Sequence, residues 1–138
     1  MPLISMFFVS DNDILDNQNC IFIYADNRKQ SGDPAVNNKF RNMDNAYPII
    51  LKKYGGSESA SYWKDEDFEV FRNEFTKALD NISSYLRRNA TGILCRESID
   101  HDIFSAATIR DHSVRIHDYM RPRLHAFYLN FTPKRLRI

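Results

Sequence analysis

Six consecutive residues, Cys20-Ile21-Phe22-Ile23-Tyr24-Ala25, are apolar without a break. A strand with one wet face alternates polar and apolar residues, whereas one apolar on both sides needs cover above and below, as in the interior of a parallel sheet. No other feature restricts the fold as much. Three further runs, Ile4 to Ser10, Tyr47 to Leu51 and Gly92 to Cys95, share its apolar, β-branched and aromatic character and read as strands. Between Ala25 and Tyr47 lies enough chain for a parallel crossover, which takes about a dozen residues. Within it Asp33 is placed to cap a short helix over 34–41, with Pro34 at a first position where no N–H is needed. Asp65 is placed to cap a long helix over 66–88, because Phe68, Phe71, Phe75, Leu79, Ile82 and Leu86 recur at spacings of three and four. Ile116, Met120, Leu124 and Phe127 repeat that stripe near the C-terminus. The order β, β, α, β, α, β, α implies a three-layer α/β domain with a small, mostly parallel sheet and helices on both faces, Rossmann-like in layout. A length of 138 residues fits one domain, 1–138, with 131–138 as a flexible or edge-strand tail.

Nineteen basic and 18 acidic side chains nearly cancel, so no global field draws the chain to nucleic acid or to an anionic membrane. The basic end, with Arg121, Arg123, Lys134, Arg135 and Arg137, reads as a solvated helix face, and nucleic-acid binding is not expected. Cys20 and Cys95 carry no Cys-x-x-Cys spacing and read as buried thiols. The opening residues lack a basic leader and soon meet Asp11, Asp13 and Asp16, which argues against a signal peptide. No apolar run approaches 18 residues, so no membrane span and a cytoplasmic location are expected.

In an open parallel sheet, ligands bind beyond the carboxyl ends of the strands, where loops diverge. That rule selects Asp26, Asn27 and Arg28 after the first interior strand, Lys52, Lys53 and Tyr54 after the next, and Glu97, Ser98, Asp100 and His101 after Cys95. Arg28, Lys29, Asn38 and Arg41 are placed to assist an anion held by the loop Ser31-Gly32-Asp33. Each candidate has a plainer reading. Asp26 and Asn27 are also the residue types that close a strand in a turn, and a lysine pair such as Lys52-Lys53 commonly forms a solvated rim. His101 stands between Asp100 and Asp102, yet His112, His117 and His125 follow at spacings that make no His-x-x-x-His pair, so no metal site is expected.

Ile21 to Asn27, Arg41 to Ile49, Tyr62 to Phe68 and Ile116 to Tyr119 together resemble an uncharacterised bacterial and phage family of small macro-domain-like α/β domains, over about Ile21 to Phe127. Its members end a strand in Gly-Asp-Asn, here Ala25-Asp26-Asn27, and carry glycine-rich loops. In this chain those loops have become Gln30-Ser31-Gly32-Asp33-Pro34-Ala35 and Glu97-Ser98-Ile99-Asp100-His101-Asp102. The resemblance implies a pocket at this strand end and a nucleotide or ADP-ribose-type ligand; together with the carboxyl-edge rule it leaves Asp26, Asn27, Arg28, Asn38, Arg41, Lys52 and His101 as the expected binding residues. Glycine lets a backbone approach a phosphate closely, so its loss from both loops weakens a simple phosphate cradle.

No nucleophile elbow, Walker loop or kinase signature is present, and no cofactor is implied. The leading expectation is therefore a small-ligand binding domain rather than an enzyme. Its alternative is a protein-interaction or inhibitor module of phage origin with a degenerate pocket. Hydrolysis of an ADP-ribose-type compound would need Asp26 or His101 as its base.

Overall fold

The computed structural model describes residues 3–32, 37–56, 58–88 and 91–131. Four strands, β1 (Leu3–Met6), β2 (Cys20–Asn27), β3 (Ala46–Lys52) and β4 (Thr91–Cys95), form one sheet in the order β1-β4-β2-β3. Every pairing is parallel, with Phe22 opposite both Ala46 and Ile93, and Ile4 opposite Ile93. The interior position of β2 is what its unbroken apolar run requires, since both of its faces are covered.

On one face, Ile21, Ile23 and Ala25 pack with Phe71, Phe75 and Ile82 of helix α2 (Phe68–Arg87) and with Ile116, Met120 and Phe127 of helix α5 (Val114–Phe131). On the other, Phe22 and Tyr24 meet Ile14 of the short helix α1 (Asp11–Leu15) and Phe40 of the turns before β3. Tyr24 and Phe40 stack with ring centroids 4.7 Å apart. The result is the expected three-layer α/β architecture. Burial of a large apolar side chain such as Phe71 or Phe75 contributes about 1.5–3 kcal/mol, so the stripe on α2 alone is a large part of what holds the second layer to the sheet.

Several boundaries differ from the sequence expectation. The first strand ends at Met6 rather than Ser10, because Ser10 caps α1: its hydroxyl accepts from the Asp13 N–H and the Asp13 carboxylate accepts from the Ser10 N–H. A polar stretch read as a connection is thus a capped helical turn. Asp65 does not cap α2. It opens a 3-10 turn, Asp65–Asp67, and its carboxylate accepts from the Ser113 hydroxyl, while Asp67 accepts from the Lys64 N–H. Of the expected helix over 34–41, residues 34–36 lie outside the described residues. Asn37 to Met43 runs as successive turns, with the Phe40 N–H bonded to the Asn37 carbonyl and the Met43 N–H to that of Phe40, each at 3.1 Å. The tail expected over 131–138 also falls outside, save for Phe131, which ends α5. Beyond β4 the chain makes two short helices, α3 (Arg96–Ile99) and α4 (Ala106–His112), before α5. No helix among the described residues is long and apolar enough to cross a membrane.

Candidate functional site

At the carboxyl end of β2 the predicted residues meet, and they satisfy one another. Asp26 is fully buried and accepts two bonds from Arg41, Nε to Oδ2 at 3.0 Å and Nη2 to Oδ1 at 2.8 Å. Arg41 also donates to Asn38 Oδ1 and to the Gly32 carbonyl. A forked guanidinium–carboxylate pair of this kind fixes geometry as well as charge. Asn27, equally buried, donates to the Ser31 carbonyl and accepts from the N–H groups of Lys29 and Ser31, so it shapes the loop that follows it. Burial and the neighbouring Asp26 carboxylate hold the Tyr24 hydroxyl far above the ordinary tyrosine range. Gly55 packs against this loop so tightly that a Cβ there would overlap the Ser31 carbonyl oxygen. Ser98 of α3 closes the opposite side: its hydroxyl accepts from the Ala25 N–H at 3.0 Å and lies 3.1 Å from the Ala25 carbonyl and 2.9 Å from Asn37 Oδ1.

The other predicted residues stand apart from that network. Arg28 points over the sheet edge to Glu74 of α2, 3.6 Å away and half exposed. Lys52, expected as a binding residue or else as part of a solvated rim, has no exposed surface. Its ammonium donates to the Gly56 carbonyl and lies 4.7 Å from the Tyr62 ring centroid and 5.9 Å from that of Phe104. Aromatic faces and a carbonyl replace the water that a lysine normally keeps. Tyr62 also stacks on His112, with ring centroids 4.1 Å apart, and His112 Nδ1 lies 3.1 Å from Lys64 Nζ. Burial and then the Lys64 ammonium hold His112 below the ordinary histidine range, against an opposing pull from Asp111 and with a lesser push from Lys52. His101 accepts the Ile103 N–H at the start of the turn Asp102–Phe104 and is half-buried. Of the two cysteines, Cys95 is buried, its thiol pushed up to about 12 by burial, whereas Cys20 is only partly covered.

Among the hollows that the described residues leave open, one of about 350 Å³ lies beside Arg28 and Glu74, and another of the same volume lies beyond the ends of β3 and β4. Leu51, Ile99, Phe104 and Met120 form its buried floor, and the exposed Arg121 and His125 of α5 form its rim. Arg96 and Asp100 stand opposite, joined by bonds of 3.1 and 2.9 Å. Tyr128 completes the wall, its hydroxyl raised above the ordinary tyrosine range by burial although Arg96 pulls the other way. Among the described residues, Arg121 has neither an ion-pair nor a hydrogen-bond partner for its side chain. An apolar floor under a few convergent polar groups is the usual make-up of a small-molecule site.

The sequence points to neither Arg121 nor His125 as a small-ligand residue: Arg121 reads there as part of a basic, solvated helix face. The signal was present in the sequence, because His117, Arg121 and His125 recur at intervals of four and share one side of α5. The spacing of eight between the two histidines hides this until the arginine between them is counted. Pro122 sits inside the same helix and cannot donate to the Asp118 carbonyl, which leaves that turn of α5 without its usual bond.

The fold and this cleft define a class: an all-parallel, three-layer α/β domain with a cationic cleft at the carboxyl edge of its sheet. Residues 4–122 match DUF7831, a family of unknown function, and the chain belongs to that family. No curated protein and no solved structure matches it.

Proposed function

We propose that this domain binds a small phosphate-bearing ligand of the nucleotide type in the cleft between α3 and α5. The observation that carries the reading is the unpartnered Arg121 guanidinium above a buried apolar floor, with Arg96, His125 and Tyr128 beside it. Such a floor suits a base or sugar face, and guanidinium is the side chain best matched to phosphate oxygens. The likeness of Ala25-Asp26-Asn27 to the strand end of macro-domain-like proteins points to the same ligand class, ADP-ribose-type compounds included. Asp26, Asn27, Asn38 and Arg41 then serve as the scaffold of the carboxyl edge, with the ligand seated over the neighbouring cleft. Two free cysteines fit a reducing compartment such as the cytoplasm.

Thermal unfolding against a panel of mononucleotides, nucleoside diphosphates and ADP-ribose tests the reading. Ligand at one hundred times its dissociation constant adds about 2.7 kcal/mol to stability, a shift that Arg121→Ala abolishes. Absence of any shift across the panel rejects a nucleotide-type ligand.

One observation favours a second reading, a protein-interaction module. Ile4, Phe7 and Phe8 are exposed at and just beyond β1, an edge strand of the sheet. Under this reading Phe7→Ser with Phe8→Ser abolishes recovery of a defined partner from host extract and leaves nucleotide-induced shifts intact.

A further inference from the structure

The cleft does not end at Arg121. A second hollow, of about 510 Å³, adjoins it between α4 and α5, and the two share Ala106 and Arg121. Beyond Arg121 the new walls are Ala107, Arg110, His117 and Asp118. Three features make this continuation a place for negative charge. Arg110 and Arg121 both face it and, among the described residues, neither guanidinium has a carboxylate partner. Among the described residues, Asp118 is the single acid on its walls, and His117 Nδ1 lies 2.9 Å from its carboxylate oxygen. Of the two residues common to both hollows, Ala106 contributes only a methyl group, which leaves Arg121 as the polar side chain between them.

Arg110 and Arg121 are both exposed, so water screens their mutual repulsion, and each guanidinium is left able to bond an anion seated between them. Arg121, common to both hollows, is placed to contact anionic groups on either side of itself. We infer that the ligand carries two phosphoryl groups in series, a nucleoside diphosphate or a diphosphate bearing a further group. One phosphoryl lies with Arg121, Arg96 and His125 over the apolar floor, and the second lies between Arg121 and Arg110. This inference rests on the reading of the first cleft as a nucleotide-type site, and it adds the substrate class that the first cleft alone leaves open.

Calorimetric titration of the full chain with AMP and ADP, and with orthophosphate and pyrophosphate so that the choice of base does not matter, tests the inference. ADP binds about tenfold or more tighter than AMP, a difference of about 1.4 kcal/mol, and pyrophosphate exceeds orthophosphate in the same sense. Arg110→Ala removes the advantage of the diphosphates and leaves AMP unchanged, while Arg121→Ala weakens all of them; far-ultraviolet circular dichroism checks that both variants are folded. Equal affinities for ADP and AMP, or a loss at Arg110→Ala shared equally by both, overturn the inference and leave the first cleft as a monophosphate site. If neither ADP nor pyrophosphate binds, the nucleotide reading and the two-phosphoryl inference fall together.

Discussion

The carboxyl end of β2 and the cleft beyond β3 and β4 lie at the same edge of one sheet, yet they use their polar residues in opposite ways. Beyond β2, Asp26, Asn27, Arg41 and Ser98 are turned inward and spend their hydrogen bonds on one another and on neighbouring backbone. In the cleft beyond β3 and β4, Arg121 and His125 of α5 are exposed beside a buried apolar floor, whereas Ser98, directly after β4, belongs to the closed network. Polar residues after a strand therefore do not by themselves mark a binding site. The distinguishing property is whether their bonds are already made.

The strongest way to break this contrast is to remove a partner from the closed end. Asp26→Ala leaves the largely covered Arg41 without its carboxylate, and loss of one member of a buried ion pair costs about 3–5 kcal/mol. Urea denaturation should show that loss, and a change below about 1 kcal/mol would mean the pair is far more solvated than its burial indicates. Ser98→Ala comes next. It strips the Ala25 N–H of its acceptor inside the protein, which costs about 1–3 kcal/mol by the same measurement.

The open end should respond in the reverse sense. Arg121→Ala is expected to leave stability within about 0.5 kcal/mol of the parent, as for an exposed residue without partners, while abolishing ligand-induced stabilisation. A large loss of stability there would show that Arg121 holds the fold together and would erase the difference between the two ends.

A chemical comparison inside the same sheet sharpens the picture. Cys20 should react with a thiol reagent in the native protein, and Cys95 only on unfolding, since its burial raises the thiol to about 12 and blocks access. Equal rates for the two would contradict the two-sided cover of β4.

The smallest effect concerns acid. His112 is held below its ordinary value of 6.5 by burial and by Lys64, so as pH falls through that value the unfolded chain takes up its proton first. Stability is then complete above the ordinary value and declines as pH falls toward the lowered one. His112→Gln should flatten this part of a stability–pH curve. An unchanged slope in that variant would assign the acid sensitivity to other groups.

Much of the architecture could be read along the chain because it depends on local periodicity. The unbroken run at Cys20 to Ala25 announced an interior parallel strand, and the stripe from Phe68 to Leu86 announced α2 to within two residues at either end. Lys52 was misjudged for the converse reason. A lysine at a strand end is ordinarily wet, and only the arrival of Tyr62 and Phe104 from later segments encloses it. Asp65 was likewise placed correctly at the start of a helical segment but assigned the wrong partner, because Ser113 lies 48 positions away in sequence.

The pattern of side chains alone determined that this chain forms a covered parallel sheet with amphipathic helices, since a strand apolar on both sides and a helix apolar along one side can be buried in few other ways. Tertiary structure decided the strand order β1-β4-β2-β3 and which polar residues are consumed in holding the sheet's carboxyl edge. It alone brought Arg96, Arg110 and Arg121 around adjoining hollows. The physical reason is range: hydrophobic periodicity is written over a few neighbouring residues, whereas the satisfaction of a buried charge or the opening of a cleft depends on groups that meet only after the chain has crossed over itself.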